Sequence, residues 1–421
     1  MRICFLSRRY FPTISGMSVY AMNYLREMTN LGHDMVMISQ YREDEVGTRI
    51  YGGGPPSLLD KVEIHGLRSH GEEIANSGKP ADFESDMDQM VKLAVTLHKR
   101  KPFDLIHAQY CYPNGMAALK ISSRLGIPNV VSIQGGDGHW VGLCCSTHKS
   151  AMLAVLNHAN LLIIGSSSFA DEVCKNHNLD KERLLIIPGA INSDDFRPNR
   201  SVQLGELSNP AKLLYHGRVD RRKGIFDLLE ALQLVKETWP IKLVVSGIGP
   251  DLEESIDLAN KLKLSHLVEF TGKARYSDVP EIYRKSEIFL SPTWSEGFSN
   301  TILEAMSSGI PIIAANSVGV VDCIRHLENG LLHEPHNIED LADKINLLLK
   351  NHALRKKLAS AAISEVNAKY SWKTVSLLLT KSIEKVLPRK PDDGWEKIYN
   401  PLTHLENADL SCKFRYEPHL L

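Results

Sequence analysis

A short stretch in the second half of the chain combines glycines with strong cations. The segment GRVDRRKG follows the apolar run KLLYH, and within it Gly217 and Gly224 frame Arg218 and Lys223. Glycines let the backbone come close to an anion, and guanidinium and ammonium groups neutralise a diphosphate that would otherwise be costly to bury. The pattern predicts a diphosphate site at a strand-to-helix turn, although a solvated basic loop would have the same composition. The spacing excludes a Walker A loop.

A pair of carboxylates lies around the start of a predicted helix further along. The segment SPTWSEGFSNTILEAMSSGIP puts Glu296 in a loop and Glu304 near the first turn of a helix that begins at Ser299 or Asn300 and ends at Gly309. Free amides at a helix N-terminus suit a phosphate or sugar oxygen, and a carboxylate can accept hydrogen bonds from two vicinal hydroxyls. Either glutamate alone would be explained by good helix capping. Combined with the basic turn, the pair indicates a site for a sugar nucleotide.

The elements that must position these residues alternate between strand and helix along the whole chain. Near-continuous apolar runs such as RICFLS, DMVMIS, NVVSIQ, IKLVVSG and EIFLSP are separated by helical patterns, which is typical of parallel sheets covered on both faces. We therefore predict an α/β fold with two Rossmann-like, doubly wound domains facing a central cleft. The predicted parts are a first Rossmann-like domain at 1–200, a second at 201–370, a helix at 371–388 that could cross back to the first domain, and an unassigned tail at 389–421.

The composition narrows the class of partner. The chain has 421 residues, 43% of them hydrophobic and 24% charged, with a formal net charge of −1. It therefore has no overall field that would attract nucleic acid, which favours a small-molecule enzyme. Seven cysteines at irregular spacing predict reduced thiols and a cytoplasmic location. No apolar run approaches the roughly 18 residues that cross a bilayer, so no transmembrane segment is predicted, and peripheral membrane contact is left open.

The motifs together resemble the glycogen-synthase-like family 4 of retaining GT-B glycosyltransferases, also described as glycosyltransferase group 1. The family signature has two glutamates separated by seven residues after a strand that ends in Ser-Pro, and EGFSNTILE matches it. The resemblance implies that Glu304 holds the ribose hydroxyls, that Glu296 contacts the donor sugar, and that Arg218 and Lys223 bind the diphosphate and stabilise its departure. It covers roughly residues 1–388. Further donor contacts are expected at Gly16, Gly249, Lys273, Ala274, Gly297, Phe298, Ser299 and Asn300.

The loop after the first strand differs from the family pattern. The segment FPTISGMSVYAMNYL has Gly16 followed by Met17, where the family commonly has two glycines whose amides approach the donor diphosphate. Ser18 is the predicted cap of the helix that follows. We expect Gly16 to contact the donor, while close approach of the second amide is in doubt.

Two further strand ends resemble the family on the acceptor side. DLIHAQY and VVSIQGGDGHW correspond to segments in which many members carry histidines, but this chain has Gln109 and Gln134 at those positions. Glutamine can hydrogen-bond a sugar hydroxyl and cannot carry a proton, so Gln134 is predicted to position a sugar. Gln109, Tyr110, Asp137 and His139 are the other groups predicted to orient the acceptor. By the same resemblance, the catalytic candidates are Arg218, Lys223, Glu296 and Asp137, the 1–200 domain binds the acceptor and the 201–370 domain binds the nucleotide sugar.

The predicted reaction is transfer of a sugar, with retention, from a nucleotide-diphosphate donor to a hydroxyl of a glycan or small molecule. A UDP-sugar is preferred over a GDP-sugar, and neither a metal nor a cofactor is expected. A nucleotide-sugar epimerase of the same fold and a non-catalytic sugar-nucleotide-binding protein are the alternatives. The sequence does not specify the acceptor or the oligomeric state.

Other possible metal ligands have simpler interpretations. The segment HWVGLCCSTH contains His139, Cys144, Cys145 and His148, which could supply four ligands to zinc. Vicinal cysteines fit one tetrahedral ion awkwardly, so an ordinary acceptor-side loop is preferred. The acidic segment DMD at 86–88 imitates a metal-binding motif, but acidic residues also complement the N-terminal end of a helix.

Overall fold

Seven parallel strands form the first of two sheets in the computed structural model, which describes residues 1–45, 53–199, 203–399 and 412–418. The strand order is β3-β2-β1-β4-β5-β6-β7. Every residue of β1 is buried, in agreement with the apolar runs of the sequence. The strands are β1 (Arg2–Ser7), β2 (Asp34–Tyr41), β3 (Glu63–Arg68), β4 (Leu105–Gln109), β5 (Asn129–Ile133), β6 (Leu161–Ile164) and β7 (Leu184–Ile186).

Helices connect these strands, as expected for parallel pairs. The first begins at Gly16 and is capped by Ser15, whose hydroxyl accepts a hydrogen bond from the Ser18 amide at 3.2 Å. The predicted cap at Ser18 is therefore wrong, because that residue lies buried inside the helix. The α-helices of this sheet's unit up to residue 188 are Gly16–Asn30, His70–Glu73, Phe83–Arg100, Met116–Leu125, Gly136–His139, Ser146–His158 and Ser167–His177, with 3-10 turns at Ile74–Ser77 and Lys181–Arg183 and a π-turn at Cys111–Gly115.

The second sheet has six parallel strands in the described part of the chain, in the order β10-β9-β8-β11-β12-β13. They are β8 (Ala211–His216), β9 (Ile241–Ser246), β10 (Val268–Gly272), β11 (Ile288–Ser291), β12 (Ile312–Ala315) and β13 (Leu331–His333). Their helices are Ile225–Val235, Leu252–Lys261, Val279–Arg284, Asn300–Ser308, Ile338–Lys350 and His352–Lys369, with 3-10 turns at Arg221–Lys223 and Tyr276–Asp278. The side chains of these strands and helices form the core of this second unit.

The chain divides into one unit of Met1–Pro188 with Val375–Leu421 and a second unit of Gly189–Thr374. The division precedes the predicted boundary at residue 200, which lies outside the described residues. The reason is that the segment after β7 already packs in the second unit, where Ile191 pairs with Ser371 and Phe196 is buried in the core. The Trp372–Glu384 helix passes from the second unit into the first.

The described residues beyond this helix belong to the first unit. The hydroxyl of Ser371 accepts a hydrogen bond from the Thr374 amide at 3.2 Å, as predicted for an N-cap. Trp395, Tyr399 and Phe414 are buried, and short helical turns lie at Asp393–Lys397 and Lys413–Tyr416. Residues 400–411 and 419–421 of the predicted tail lie outside the described residues. Within the described ranges, no helix is both long and apolar enough to cross a membrane.

Candidate active site

The basic turn of the second unit has the strand-to-helix geometry that its glycines predicted. β8 ends at His216, and Gly217 follows with a φ of 143°. Gly224, with a φ of 71°, immediately precedes the Ile225–Val235 helix. A Cβ at Gly224 would lie 2.0 Å from the carbonyl oxygen of Pro292. The turn therefore needs glycine here both for its left-handed backbone and for its close contact with the loop after β11.

The structure brings one cation of this turn onto a predicted catalytic carboxylate. The Nζ of Lys223 lies 2.7 Å from Oε1 of Glu296, and both side chains are partly exposed, at 31% and 22%. An ammonium group so placed can meet a ligand anion from the solvent side without losing its partner. Two predicted catalytic residues thus form a single charged pair within one unit.

Asp220, which the sequence analysis did not identify, orients the arginine of the turn. Its Oδ2 lies 3.3 Å from Nη2 of Arg218 and 2.8 Å from Nη2 of Arg222. Burial raises the pKa of Asp220, but the hydrogen bonds from Arg222 and the charges of both arginines outweigh it and lower the pKa to about 2. The ionised carboxylate therefore holds Arg218 in place at all ordinary pH values.

The remaining cation of the turn is directed elsewhere. The guanidinium of Arg221 contacts Asp251 at 3.0 Å and Glu254 at 2.7 Å, and half of its side chain is exposed. Two carboxylates compensate its charge on the outer surface. Arg221 is therefore not part of the group formed by Arg218 and Lys223.

The loop that carries Glu296 rests on a glycine further along the chain. The Glu296 amide donates a hydrogen bond to the Val318 carbonyl at 2.9 Å. Gly319 has a φ of 76°, and a Cβ there would lie 2.1 Å from the carbonyl oxygen of Glu296 and 3.1 Å from the carbonyl carbon of Gly297. The Glu296 loop therefore packs directly on the backbone of Gly319 and is held by this hydrogen bond.

The helix after this loop begins at Asn300, with Ser299 as its N-cap residue. The Ser299 hydroxyl lies 3.2 Å from the Thr301 hydroxyl and makes no capping hydrogen bond with the backbone. A Cβ on Gly189 would lie 2.5 Å from Oδ1 of Asn300 and 2.7 Å from the ring of Phe298. These two predicted donor contacts therefore pack against the first residues of their own unit.

Glu304 is the fifth residue of this helix, close to the first turn as predicted, and it is only 4% exposed. Its Oε2 has no hydrogen-bond partner among the described residues. Burial raises the pKa of Glu304 to about 8, and the hydroxyl of Tyr283 offsets part of that effect. A buried carboxyl group with an unmatched oxygen fits the vicinal hydroxyls of a ribose, which would satisfy it.

The remaining predicted donor residues lie at the ends of β9 and β10. A Cβ on Gly249 would be 2.0 Å from the Val219 carbonyl oxygen. Gly249 therefore packs directly against the backbone of the basic turn. Lys273 and Ala274 follow directly on β10; Lys273 is exposed, and Ala274 packs against the core. All three lie at the carboxyl edge of the sheet, where open α/β sheets bind their ligands.

In the first unit, the two glutamines that stand in place of histidines are hydrogen-bonded to each other. Nε2 of Gln109 donates to Oε1 of Gln134 at 2.7 Å and to the Met17 carbonyl at 3.1 Å. The Ser7 hydroxyl donates to Oε1 of Gln109 at 2.9 Å. Gln109 is fully buried and thereby fixes the orientation of Gln134, which is partly exposed.

Asp137 is fully buried, and it uses its carboxylate to shape the loop. Its oxygens accept hydrogen bonds from the amides of Cys111 at 2.9 Å, Gln134 at 3.1 Å and Gly135 at 2.9 Å. Burial raises the pKa of Asp137, against the opposing effect of these hydrogen bonds. Both oxygens are engaged by main-chain amides, which favours a positioning role for Asp137; its catalytic role stays a prediction.

The other residues predicted in the first unit are His139 and Tyr110 on the acceptor side and Gly16 for the donor, and they differ in burial and backbone conformation. His139 is buried, and its Nδ1 lies 2.8 Å from Oε1 of Glu172 while its ring packs on Phe169. Tyr110 has a φ of 79°, a backbone conformation that is costly for a residue with a side chain and that clusters at functional sites. Gly16 is exposed at the start of its helix, and a Cβ there would meet nothing within 4 Å.

Two family models match the chain over most of its length. Residues 196–365 match the model described as glycosyl transferases group 1, and residues 15–190 match the model described as glycosyl transferase 4-like domain. The chain belongs to the group 1 glycosyltransferases. The predicted group 1 glycosyltransferase family is thereby confirmed, and retention stays a prediction.

Relatives and solved structures agree with this assignment. An uncharacterized glycosyltransferase of Methanocaldococcus jannaschii is 27% identical over 287 residues, which are 65% of this chain and 73% of that protein. The glycogen synthase of Mycobacterium tuberculosis is 24% identical over 404 residues, covering 89% of this chain and 92% of that protein. The structure of HepE from Anabaena in complex with UDP and glucose has a TM-score of 0.74 at 17% identity, covering 91% of this chain and 100% of that one. The predicted two-domain GT-B fold is confirmed.

The glycosyltransferase also contains a buried arginine cluster that the sequence analysis missed. Glu72 lies 2.8 Å from Nε of Arg8, 3.4 Å from Nη2 of Arg9 and 3.8 Å from Nη1 of Arg42. Burial raises the pKa of Glu72, but the surrounding arginines lower it below its usual value. The arginines directly follow β1 and β2, so their positions at the ends of two apolar strands were the available signal.

The acidic segment at 86–88 and the histidines near 333 have structural partners in the transferase. Asp86 accepts hydrogen bonds from the amides of Gly71 and Glu72 at 2.8 and 3.0 Å, while Asp88 pairs with Lys120 at 3.0 Å. These carboxylates point to different partners and do not form a metal-binding pair. His333 is the last residue of β13, and its Nδ1 lies 2.9 Å from the Glu334 carbonyl oxygen.

Proposed function

We propose that this glycosyltransferase moves a sugar, with retention, from a nucleoside-diphosphate donor to a hydroxyl acceptor. The observation that carries the proposal is the grouping, within one unit, of the Lys223–Glu296 pair at 2.7 Å and the buried carboxyl group of Glu304. A cation for the diphosphate, an acceptor for sugar hydroxyls and a carboxyl group for the ribose are the parts that such a donor requires. A UDP-sugar is preferred, in line with the UDP bound by the related HepE structure.

The mechanism follows from which groups carry charge. Arg218, held by Asp220, and Lys223 neutralise the diphosphate as the bond from the sugar to its oxygen breaks, which is the type of electrostatic stabilisation that contributes most to many enzymes. The acceptor hydroxyl attacks the same face, and its proton passes to the departing diphosphate oxygen. Asp137 does not act as a nucleophile in this scheme, because its oxygens are engaged by three amides.

The acceptor is proposed to be a glycan or small molecule in the cytoplasm. The arginine cluster contains three guanidinium groups around Glu72, and Arg42 also pairs with Asp44 at 2.5 Å. Guanidinium groups bind phosphate and carboxylate oxygens, so an acceptor that carries either group would suit this cluster. Phosphorylated polyols and acidic sugars therefore belong in any acceptor screen.

The test is incubation of the full-length protein with a panel of nucleotide sugars, first alone and then with acceptors. Transfer to an acceptor with retained anomeric configuration, read by NMR of the product, is the expected result. Conversion of the donor in the absence of any acceptor would identify the epimerase alternative. Donor binding without conversion across the panel would favour the non-catalytic alternative.

We expect UDP to bind equally well with and without Mg²⁺ or Mn²⁺, because Arg218 and Lys223 supply the positive charge that a metal would otherwise provide. Calorimetric titration in metal-free buffer, compared with buffer that contains either ion, measures this. The metal content of the protein is measured before and after its transfer to metal-free buffer. This measurement distinguishes loss of an ion bound by the protein itself from loss of an ion bound with UDP. Binding that disappears without Mg²⁺ and returns when it is added would contradict the expectation.

Gln134→Ala is expected to lower turnover by about three- to tenfold, the effect of losing one neutral hydrogen bond. The rate profile against pH should keep its shape, because an amide does not titrate. Gln134→Asn, which keeps the amide, is the matched control and should retain more activity than Gln134→Ala. An ionisation that moves in the profile of Gln134→Ala would show that this residue does more than position a sugar.

A further inference from the structure

Three cysteines and one histidine converge in the first unit. They are Cys144 and Cys145 before the Ser146–His158 helix, His148 in its first turn, and Cys412 from the C-terminal segment. Their possible ligand atoms all lie within 4.8 Å of one another. Nδ1 of His148 is 3.1 Å from Sγ of Cys144 and 3.6 Å from Sγ of Cys412. His139, the fourth ligand of the sequence-based alternative, instead pairs with Glu172.

We propose that Cys144, Cys145, Cys412 and Nδ1 of His148 bind one zinc ion. Zinc holds thiolates at about 2.3 Å and imidazole nitrogens at about 2.0–2.1 Å, which in a tetrahedron places neighbouring ligand atoms about 3.5–3.8 Å apart. The observed separations bracket those values, so small side-chain rotations close the site around one ion. An iron–sulfur cluster would need its cysteine sulfurs further apart. Three thiolates with one imidazole favour zinc over the oxygen-seeking Mg²⁺ and Ca²⁺.

The helix start explains how two neighbouring cysteines can serve one ion. Cys145 is the N-cap residue, and its sulfur accepts a hydrogen bond from the His148 amide at 3.4 Å. Residues three apart share one face of a helix, so this sulfur and the imidazole lie on the same side. Cys144 comes from the loop before the helix, and its Sγ lies 3.1 Å from Nδ1 of His148.

The surroundings match a structural zinc site rather than a catalytic one. Cys145 and Cys412 are 9% and 3% exposed, and the cluster packs against Phe414 and Trp140. Four protein ligands leave no open position for substrate. Binding would release the three thiol protons and leave a zinc–thiolate centre with one negative charge, shielded from water.

The ion would join the C-terminal segment to the helix start. That segment is otherwise attached by the buried pair of Arg415 and Glu84 at 2.7 Å and by a backbone hydrogen bond from Ala81 to Arg415 at 2.7 Å. In a reducing compartment, where disulfides do not persist, zinc performs the same cross-linking role. The loop before Cys144 carries Gln134 and Asp137, so the ion would also stabilise the predicted acceptor side.

The test is the metal content of the full-length protein, purified without chelator and measured by inductively coupled plasma mass spectrometry. We expect one zinc per chain in the wild type and in Cys174→Ser, a thiol of the same unit outside the cluster. We expect Cys144→Ser and Cys412→Ser to lose the zinc or to bind it at least tenfold more weakly. Replacement of zinc by Co²⁺ should give the intense sulfur-to-metal absorption of a tetrahedral thiolate site.

If the variants do not fold, the wild type alone still decides the question. Native mass spectrometry should show a mass increase of one zinc, and a competing chelator should make three more thiols reactive toward a thiol reagent. Protein without stoichiometric zinc that takes up none when Zn²⁺ is added, a cobalt form without thiolate absorption, or a disulfide between Cys144 and Cys412 would each overturn the proposal. So would full zinc content in a folded Cys412→Ser.

Discussion

Lys223→Ala is expected to lower turnover by about two to four powers of ten while the protein stays folded, the range seen when transition-state charge stabilisation is lost. The ammonium group lies on the surface of the second unit beside Glu296, and 31% of its side chain is exposed. Its removal therefore leaves no cavity in the core. The loss of the ammonium group leaves only Arg218 to balance the charge that develops on the diphosphate. It also leaves Glu296 without the Lys223 ion pair. Arg218→Ala should have an effect of similar size.

Arg221→Ala is the matched control, because it removes a cation from the same turn. That guanidinium is paired with Asp251 and Glu254 on the outer surface, so its loss should change turnover by less than about threefold. Steady-state kinetics with the donor identified in the screen, together with thermal unfolding of each variant, provide the measurements. Normal turnover in Lys223→Ala, or equal losses in Lys223→Ala and Arg221→Ala, would refute the assignment of the diphosphate site.

Glu304→Gln is expected to weaken UDP binding by about tenfold to a hundredfold, the value of hydrogen bonds to a charged group. In the free protein the pKa of Glu304 is about 8, so at pH 7 the buried carboxyl group is about ten parts protonated to one part ionised. Ribose hydroxyls donate hydrogen bonds and favour the ionised form. UDP binding to the wild type should therefore release close to one proton at pH 7 and tighten as the pH rises towards 8.

The same carboxyl group links folding to pH with a defined sign. Because its pKa is near 8 in the folded protein and near 4.5 when exposed, the folded state binds more protons between these values. The contribution of Glu304 to the free energy of unfolding therefore falls as the pH rises from about 5 to 8. Glutamine mimics the neutral form, so Glu304→Gln should become more stable than the wild type as the pH increases through that window.

Calorimetry in buffers of different ionisation enthalpy measures the released proton, and thermal unfolding at pH 5 and pH 8 measures the stability difference. Glu253→Gln, an exposed glutamate of the Leu252–Lys261 helix, is the control and should change neither. Proton release that persists in Glu304→Gln would assign the effect to another group. Unchanged UDP affinity in Glu304→Gln would show that Glu304 does not bind the ribose.

Local spacing along the chain was sufficient for the parts of the site that lie on one strand, turn and helix. Gly217, Arg218, Lys223 and Gly224 fall within eight consecutive residues after β8. Their backbone conformation follows from that order, since glycine takes up the left-handed positions. The buried strands were recognisable for the same reason, because a strand covered on both faces must be apolar throughout.

The weakly patterned elements were not recognisable in this way. β3 lies at an edge of its sheet with half-exposed side chains, and β13 has three residues. Neither produces a continuous apolar run, so the sequence analysis missed both. The boundary between the units was also misplaced, because the packing of Phe196 into the second core leaves no trace in the residues beside it.

Tertiary structure alone decided which distant side chains meet. Three contacts join residues from separate elements: the Lys223–Glu296 pair, the hydrogen bonds from three amides to Asp137, and the contact between Cys412 and His148. Composition and periodicity report which face of an element is buried, and they carry no information on its partner across the fold. The chemistry of each group was therefore predictable from its type, whereas its role depended on contacts that form only when the sheets and helices pack.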